Sequence, residues 1–271
     1  MNSQSHYTFG DGDVAQDRLR LLAEVFEPSS RALLTRVARR RGPDLHANDV
    51  VVDLGCGAGY TTELLGEVCG GASRVYAIDR SPLLLEAARK RLGERAEVVE
   101  HDVTVAPLPL PPSGLLYARF LLTHLRDVTG VLVGWKRALG PAGRVVLEET
   151  ASMTSGHPAL RRYYALVERM QAHYGQALYI GRSLETAASL AGLRREESCV
   201  TDLALPASQM ARLHALNLRT WKDDPFVRAA FDRDELEGLL VALDDIASGH
   251  EKAPPVACGI RQLILAPAGT A

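Results

Sequence analysis

The sequence predicts a doubly wound α/β fold, and three observations carry that expectation. Short apolar runs alternate with helical patterns between residues 50 and 148, which is the rhythm of βαβ units around a parallel sheet. The first run, Val50-Val51-Val52-Asp53-Leu54, passes directly into Gly55-Cys56-Gly57-Ala58-Gly59 and then into a helical pattern opened by Tyr60, Thr61 and Thr62. A strand, a glycine turn and a helix N-terminus let backbone approach a ligand closely, here an adenosine-bearing cofactor. Finally, 271 residues at 46% apolar and 24% charged can bury a full core and support an elaborated cap.

The elements follow in order. Residues 1–12 are polar and glycine-punctuated and start the chain as a mobile arm. Leu19, Leu22, Val25 and Phe26 recur at helical spacing, and a second helix follows Pro28 with Leu33, Leu34 and Val37 on one face. Gly42-Pro43-Asp44 breaks the pattern. Strand one is 50–54, followed by a helix over 61–68. Strand two is 74–78, ending at Asp79, and Ser81-Pro82 caps a helix over 83–92. Strand three is 97–100, with Asp102 just past its end. Strand four is 115–118, then a helix containing Leu125 and another over 128–139. Gly140-Pro141-Ala142-Gly143 reads as a turn before strand five at 144–148. Beyond it come a loop and aromatic-rich helix to about 180, a helix over 183–191 and a strand near 199–203. Mostly helical sequence covers 206–255, and a final strand spans 256–265.

Charge and cysteine usage exclude several classes. A formal net charge of −2 argues against a partner held through nucleic-acid phosphates. Arg36 to Arg41 reads as the basic end of a helix complementing its dipole. The four cysteines, at 56, 69, 199 and 258, show no metal-ligand spacing. Cys56 fits the glycine turn as a small packed residue. The expectation is a cytoplasmic, thiol-reduced protein without a membrane span or a metal.

Electrostatics decides which cofactor suits the turn. A nicotinamide dinucleotide wants GxGxxG with its pyrophosphate on the helix N-terminus. This chain has GxGxG preceded by Asp53, an awkward neighbour for an anionic pyrophosphate and a favourable one for a cation. S-adenosylmethionine (SAM) carries an ammonium and a sulfonium and no phosphate. Arg80 after Asp79 would suit a 2′-phosphate, but a reductase would also need a Tyr-x-x-x-Lys pattern that the chain lacks.

VVDLGCGAG, with VYAIDRSPLLLEAAR, VVEHDV, LLYARFLLTHL and LGPAGRVVLEE in order, resembles the motif series of class I SAM-dependent methyltransferases of the small-molecule type. The match is close over residues 48–150. The resemblance implies a seven-stranded Rossmann-like sheet with the last strand antiparallel. It divides one methyltransferase domain, 1–271, into N-terminal arm and helices (1–44), SAM-binding core (45–150) and helical insertions (151–185 and 206–255) forming a lid or acceptor pocket. Gly55, Gly57 and Gly59 resemble the turn that packs on the methionine part of SAM, and Asp53 the acid facing its ammonium. Asp79, with Arg80 beside it, resembles the acceptor of the ribose hydroxyls, and Asp102 the acceptor of the adenine amino group, with Val103 against the ring. Ala118 and Arg119 resemble the segment closing over the methionine end. Tyr7, with Phe9 and Gly10, resembles an arm that folds over SAM. The product would be S-adenosylhomocysteine.

In such a transfer the sulfonium is already a good leaving group, so the protein mainly aligns the acceptor and removes water. Candidates for a general base are His124, Glu148 and Glu149, then His157 and His173. Tyr163, Tyr164, Tyr174 and Tyr179 cluster within 17 residues and are candidates to line an acceptor pocket. Without a basic track or a nucleobase-type motif after strand four, the expected acceptor is a small molecule, such as a secondary metabolite. A SAM-binding cyclase or structural partner of the same fold would carry the same motifs. The terminal helices and insertions are candidates for a homodimer contact.

Overall fold

The computed structural model describes residues 13–41, 49–70 and 74–268. Seven strands form one sheet in the order β3-β2-β1-β4-β5-β7-β6. β1 (Val50–Leu54), β2 (Arg74–Asp79), β3 (Glu97–Glu100), β4 (Ser113–Arg119) and β5 (Leu139–Thr154) run parallel. β7 (Val256–Pro267) lies antiparallel between β5 and β6 (Leu193–Leu205), as the family resemblance implied. All five residues of β1 are buried, which suits a central parallel strand covered on both faces.

Each face takes its own helices. The second half of α1 (Asp13–Arg41) contributes Leu33, Leu34 and Val37 to one face, beside Leu64 and Leu65 of α2 (Tyr60–Leu65). Leu85, Ala88 and Leu92 of α3 (Pro82–Leu92) pack on the same face at Ala77. Trp135, Leu132 and Val131 of α4 (Val128–Arg137), with Leu184 and Ala188 of α6 (Leu184–Leu190), cover the other. A third core lies at the carboxyl ends of the strands. There α5 (Pro158–His173), α7 (Ala207–Trp221), α8 (Pro225–Ala230) and α9 (Arg233–Ser248) enclose Leu21 and Phe26 from the first half of α1.

Several boundaries differ from those expected. α1 is one helix with Pro28 inside it, where two helices were expected. Proline removes one i to i−4 hydrogen bond, but Phe26, Ser30, Leu33 and Leu34 around it are buried, and that packing keeps the helix continuous. The expected 61–68 helix is Tyr60–Leu65 followed by a π turn, Gly66–Gly70. The helix expected around Leu125 is only a 3-10 turn, Leu122–His124. The Gly140–Gly143 turn lies inside β5, where pairing jumps from Ser113↔Leu139 to Leu115↔Arg144 and the extra residues form a bulge. β6 is thirteen residues where about five were expected. It is an edge strand, and one-sided pairing tolerates its charged sequence.

Candidate functional site

The glycine turn is built by backbone. Gly55 and Cys56 donate their N–H groups to the Ile78 carbonyl at 2.8 and 2.9 Å, tying the turn to β2. Gly55, Gly57 and Gly59 have φ values of 72°, 53° and 83°, a region that side chains disfavour. A Cβ on Gly55 would stand 2.7 Å from Leu121 Cδ1, and one on Gly57 3.2 Å from Leu19 Cδ1. Arg91 buttresses the turn from α3: its Nε donates to the Ala58 carbonyl at 3.2 Å and its guanidinium lies 3.6 Å over the Tyr60 ring. Cys56 is buried with its thiol pKa pushed up by that burial, a packed residue in the role its size suggested.

Three carboxylates stand at the ends of adjacent strands. Asp53, on β1, is buried and accepts from Thr62 Oγ1 at 2.7 Å; burial raises its pKa to about 6 against the pull of Thr62 and Thr61. Asp79 ends β2. Its Oδ2 accepts from Gly57 N and its Oδ1 from Ser81 N, both at 2.9 Å, so one side chain fixes the glycine turn and the entry to α3. Burial raises its pKa too, opposed by those amides. Asp102 follows β3 and accepts through Oδ1 from Thr104 N and Oγ1 at 2.9 and 2.7 Å. Val103 is buried, and its carbonyl accepts from Trp135 Nε1 at 2.9 Å. A glycine-rich turn flanked by carboxylates at the carboxyl ends of parallel strands fits a cationic adenosine ligand such as SAM.

The remaining candidates separate. Ala118 is buried in β4, and Arg119 Nη1 donates to Ser30 Oγ on α1 at 3.0 Å. Burial, with Arg18 and Arg80 adding positive charge nearby, pushes the His124 pKa down to about 3. Glu148 accepts from Tyr117 OH at 2.5 Å and from Gln262 Nε2 at 2.7 Å, so both oxygens are engaged beneath α1. Glu149 is also buried, facing the turn after β4, and accepts through Oε1 from Leu121 N and Leu122 N at 2.8 and 2.6 Å. His157 caps α5 through Ala159 N and meets Glu251 at 2.8 Å, whereas His173 stacks on Phe226 at 3.9 Å. Tyr7, Phe9 and Gly10 lie outside the described residues.

The four tyrosines have different partners. Tyr163 and Tyr164 are buried side by side; Asn217 Nδ2 donates to Tyr163 OH at 3.0 Å, and Tyr164 OH lies 3.1 Å from His214 Nε2. Burial raises both phenols' pKa values. Tyr174 OH donates to Asp224 at 2.8 Å, and Tyr179 lies under the Arg182 guanidinium. Sequence reasoning missed Phe120, whose φ of 51° is the one positive value among described non-glycine residues, and no local signal marks it. It also missed His214 and Asn217. Their i, i+3 placement among Met210, Leu213, Leu218 and Trp221 on the apolar face of α7 was a readable signal.

Comparison with known proteins agrees with this geometry. Residues 52–147 match the family model described as a methyltransferase domain. Trans-aconitate 2-methyltransferase of Paracidovorax citrulli is 40% identical over 105 residues, covering 38% of this chain and 40% of that protein. The chain spans about half the length of the curated relatives it matches. Among solved structures, a geranyl diphosphate methyltransferase in complex with SAM superposes at a TM-score of 0.52 and 15% identity, over 96% of this chain and 93% of that one. A cyclase, SpnF, superposes at 0.53 and 19% identity, over 87% and 81%. The fold, the glycine turn and the methyltransferase-domain match over residues 52–147 agree with the resemblance of the sequence to class I SAM-dependent methyltransferases.

Proposed function

We propose that the protein transfers the methyl group of SAM to a small-molecule acceptor, mainly by alignment and desolvation. The observation that carries this reading is the set of Asp53, Asp79 and Asp102 at three adjacent strand ends around the glycine turn. Bound there, SAM would supply an activated methyl group on a good leaving group. Asp79, flanked by Arg80, would accept from the ribose hydroxyls, Asp102 from the adenine amino group beside Val103, and Asp53 would face the ammonium. Ala118 and Arg119 would close over the methionine end.

The helices of 151–185 and 206–255 stand at the strand ends where the acceptor would sit, within a single domain. The acceptors named for the similar proteins, trans-aconitate and geranyl diphosphate, are small molecules, which supports that size class; a secondary metabolite fits it. Neither His124 nor Glu148 is favoured as a dedicated base. An imidazole titrating near 3, like His124, draws a proton weakly, and Glu148 has both oxygens committed. The direct test incubates protein and SAM with carboxylates, alcohols, phenols and amines and measures S-adenosylhomocysteine by mass spectrometry. Formation that depends on one acceptor class supports the proposal.

A second reading is a SAM-binding cyclase or structural partner, favoured by the superposition on a cyclase. Tight SAM binding without S-adenosylhomocysteine across the panel selects it.

Asp53 gives the first pH prediction. Its pKa near 6 in the free protein means that a cationic ligand must drive off its proton at lower pH. SAM affinity, measured by calorimetry, is therefore expected to fall about tenfold per pH unit below pH 6. Asp53→Asn should bind more weakly and without that slope. An identical slope in Asp53→Asn would remove Asp53 from the ammonium's surroundings.

A further inference from the structure

Glu149 ends the inner part of β5 with no side-chain exposure. Its Oε1 takes two backbone donors, Leu121 N and Leu122 N, whereas its Oε2 is buried without a hydrogen-bond partner. A buried carboxyl oxygen left unsatisfied is costly, so the arrangement calls for a compensating role. The segment it holds supplies one. Phe120 sits at the left-handed φ of 51°, a strained conformation for an aromatic residue. Its N–H donates to the Glu148 carbonyl at 2.9 Å, and its ring meets Phe26 of α1 edge-on at 4.8 Å. The next residue, Leu121, lies against Gly55 at the opening of the glycine turn. One carboxylate therefore pins the two amides that follow the strained residue, and the pinned side chain forms a wall of the cofactor cradle.

We propose that Glu149 is a positioning residue. Through the Leu121 and Leu122 amides it holds the turn after β4 in its strained form, and so sets the depth of the cradle at Gly55. The proposal rests on the SAM reading of that cradle and replaces the expectation of Glu149 as a general base.

The charged and titratable groups on the elements packed about Glu149 are Glu148 on β5, Arg261 on β7 opposite it in register, Arg182 and His124. Arg261 is engaged by the Gly181 carbonyl, Glu185 and Ser198, and Arg182 by the Ala151 carbonyl. Burial, opposed by the Leu122 and Leu121 amides and reinforced by Glu148, raises the Glu149 pKa to about 8. The folded chain therefore keeps this proton where the unfolded chain loses it, and the Glu149 contribution to stability falls as pH rises from about 4.5 to about 8. Glu149→Gln retains an acceptor and cannot ionise, so its Tm is expected to gain on wild type between pH 6 and pH 8.

The experiment measures S-adenosylhomocysteine binding by calorimetry and backbone hydrogen exchange over residues 119–123 in wild type, Glu149→Gln, Glu149→Asp and Glu149→Leu. Glu149→Gln should bind within about threefold of wild type. Glu149→Leu should bind about tenfold or more weakly, since both amides lose their acceptor. Glu149→Asp keeps the carboxyl group but shortens the reach, and should lose about fivefold with faster exchange at Leu121 and Leu122. It carries the test should Glu149→Leu not fold. Wild-type affinity and unchanged exchange in Glu149→Asp would overturn the positioning role. Absence of binding in wild type would instead overturn the SAM reading, leaving the exchange result to judge the clamp by itself.

Discussion

Replacing Asp79 with alanine is expected to weaken SAM binding about a hundredfold, the largest loss for any single side chain at the site. Its carboxylate holds Gly57 N and Ser81 N at once, so its loss frees both the glycine turn and the N-terminus of α3. The proposed ribose contact goes with it. Hydrogen bonds to a charged group contribute about 1.5–3 kcal/mol each, and a hundredfold in affinity corresponds to about 2.7 kcal/mol, less than two such bonds. Asp79→Asn keeps one carbonyl acceptor and should lose about tenfold. Calorimetric titration with SAM decides the matter; affinity within threefold of wild type for the alanine variant would refute the placement of the cofactor.

The second large effect is on stability. Trp135 of α4 is 1% exposed against the sheet, and its indole N–H holds the Val103 carbonyl. Trp135→Ala should cost about 3–5 kcal/mol, which for a chain of this size lowers Tm by roughly 5–9 °C. Chemical denaturation gives the same quantity independently. Trp135→Phe restores most of the buried volume but not the donor. It should recover much of the stability while leaving the turn of Asp102 and Val103 less restrained, seen as weaker SAM binding. A Tm unchanged in Trp135→Ala would show that α4 is not held to the sheet through this residue.

What the sequence disclosed was local in origin. The β1 strand, its glycine turn, the Ser81-Pro82 cap and the acids at 79 and 102 each announce themselves within a few residues. What it concealed depends on contacts distant along the chain. Continuity of α1 through Pro28 follows from burial beneath two cores. The bulge in β5 exists because Ser113 pairs with Leu139 and Leu115 with Arg144. β6 reads as a polar segment, and only pairing with β7 makes it a long strand. Likewise, the Glu149 carboxylate was legible as an acid at a strand end, but its two amide partners lie twenty-seven and twenty-eight residues away.

The continuity of α1 has a mechanical consequence. At 1.5 Å per residue its 29 residues span about 44 Å. One end is embedded in the helical core, the other in the core beneath the sheet, and Leu19 near the first end bears on Gly57. The helix is thus a common axle for the two layers, alongside the strands they share. Its only break in backbone hydrogen bonding from proline is at Pro28, close to where Ser30 receives Arg119. A ligand that shifts Leu19 off the glycine turn would load both layers through this one shaft.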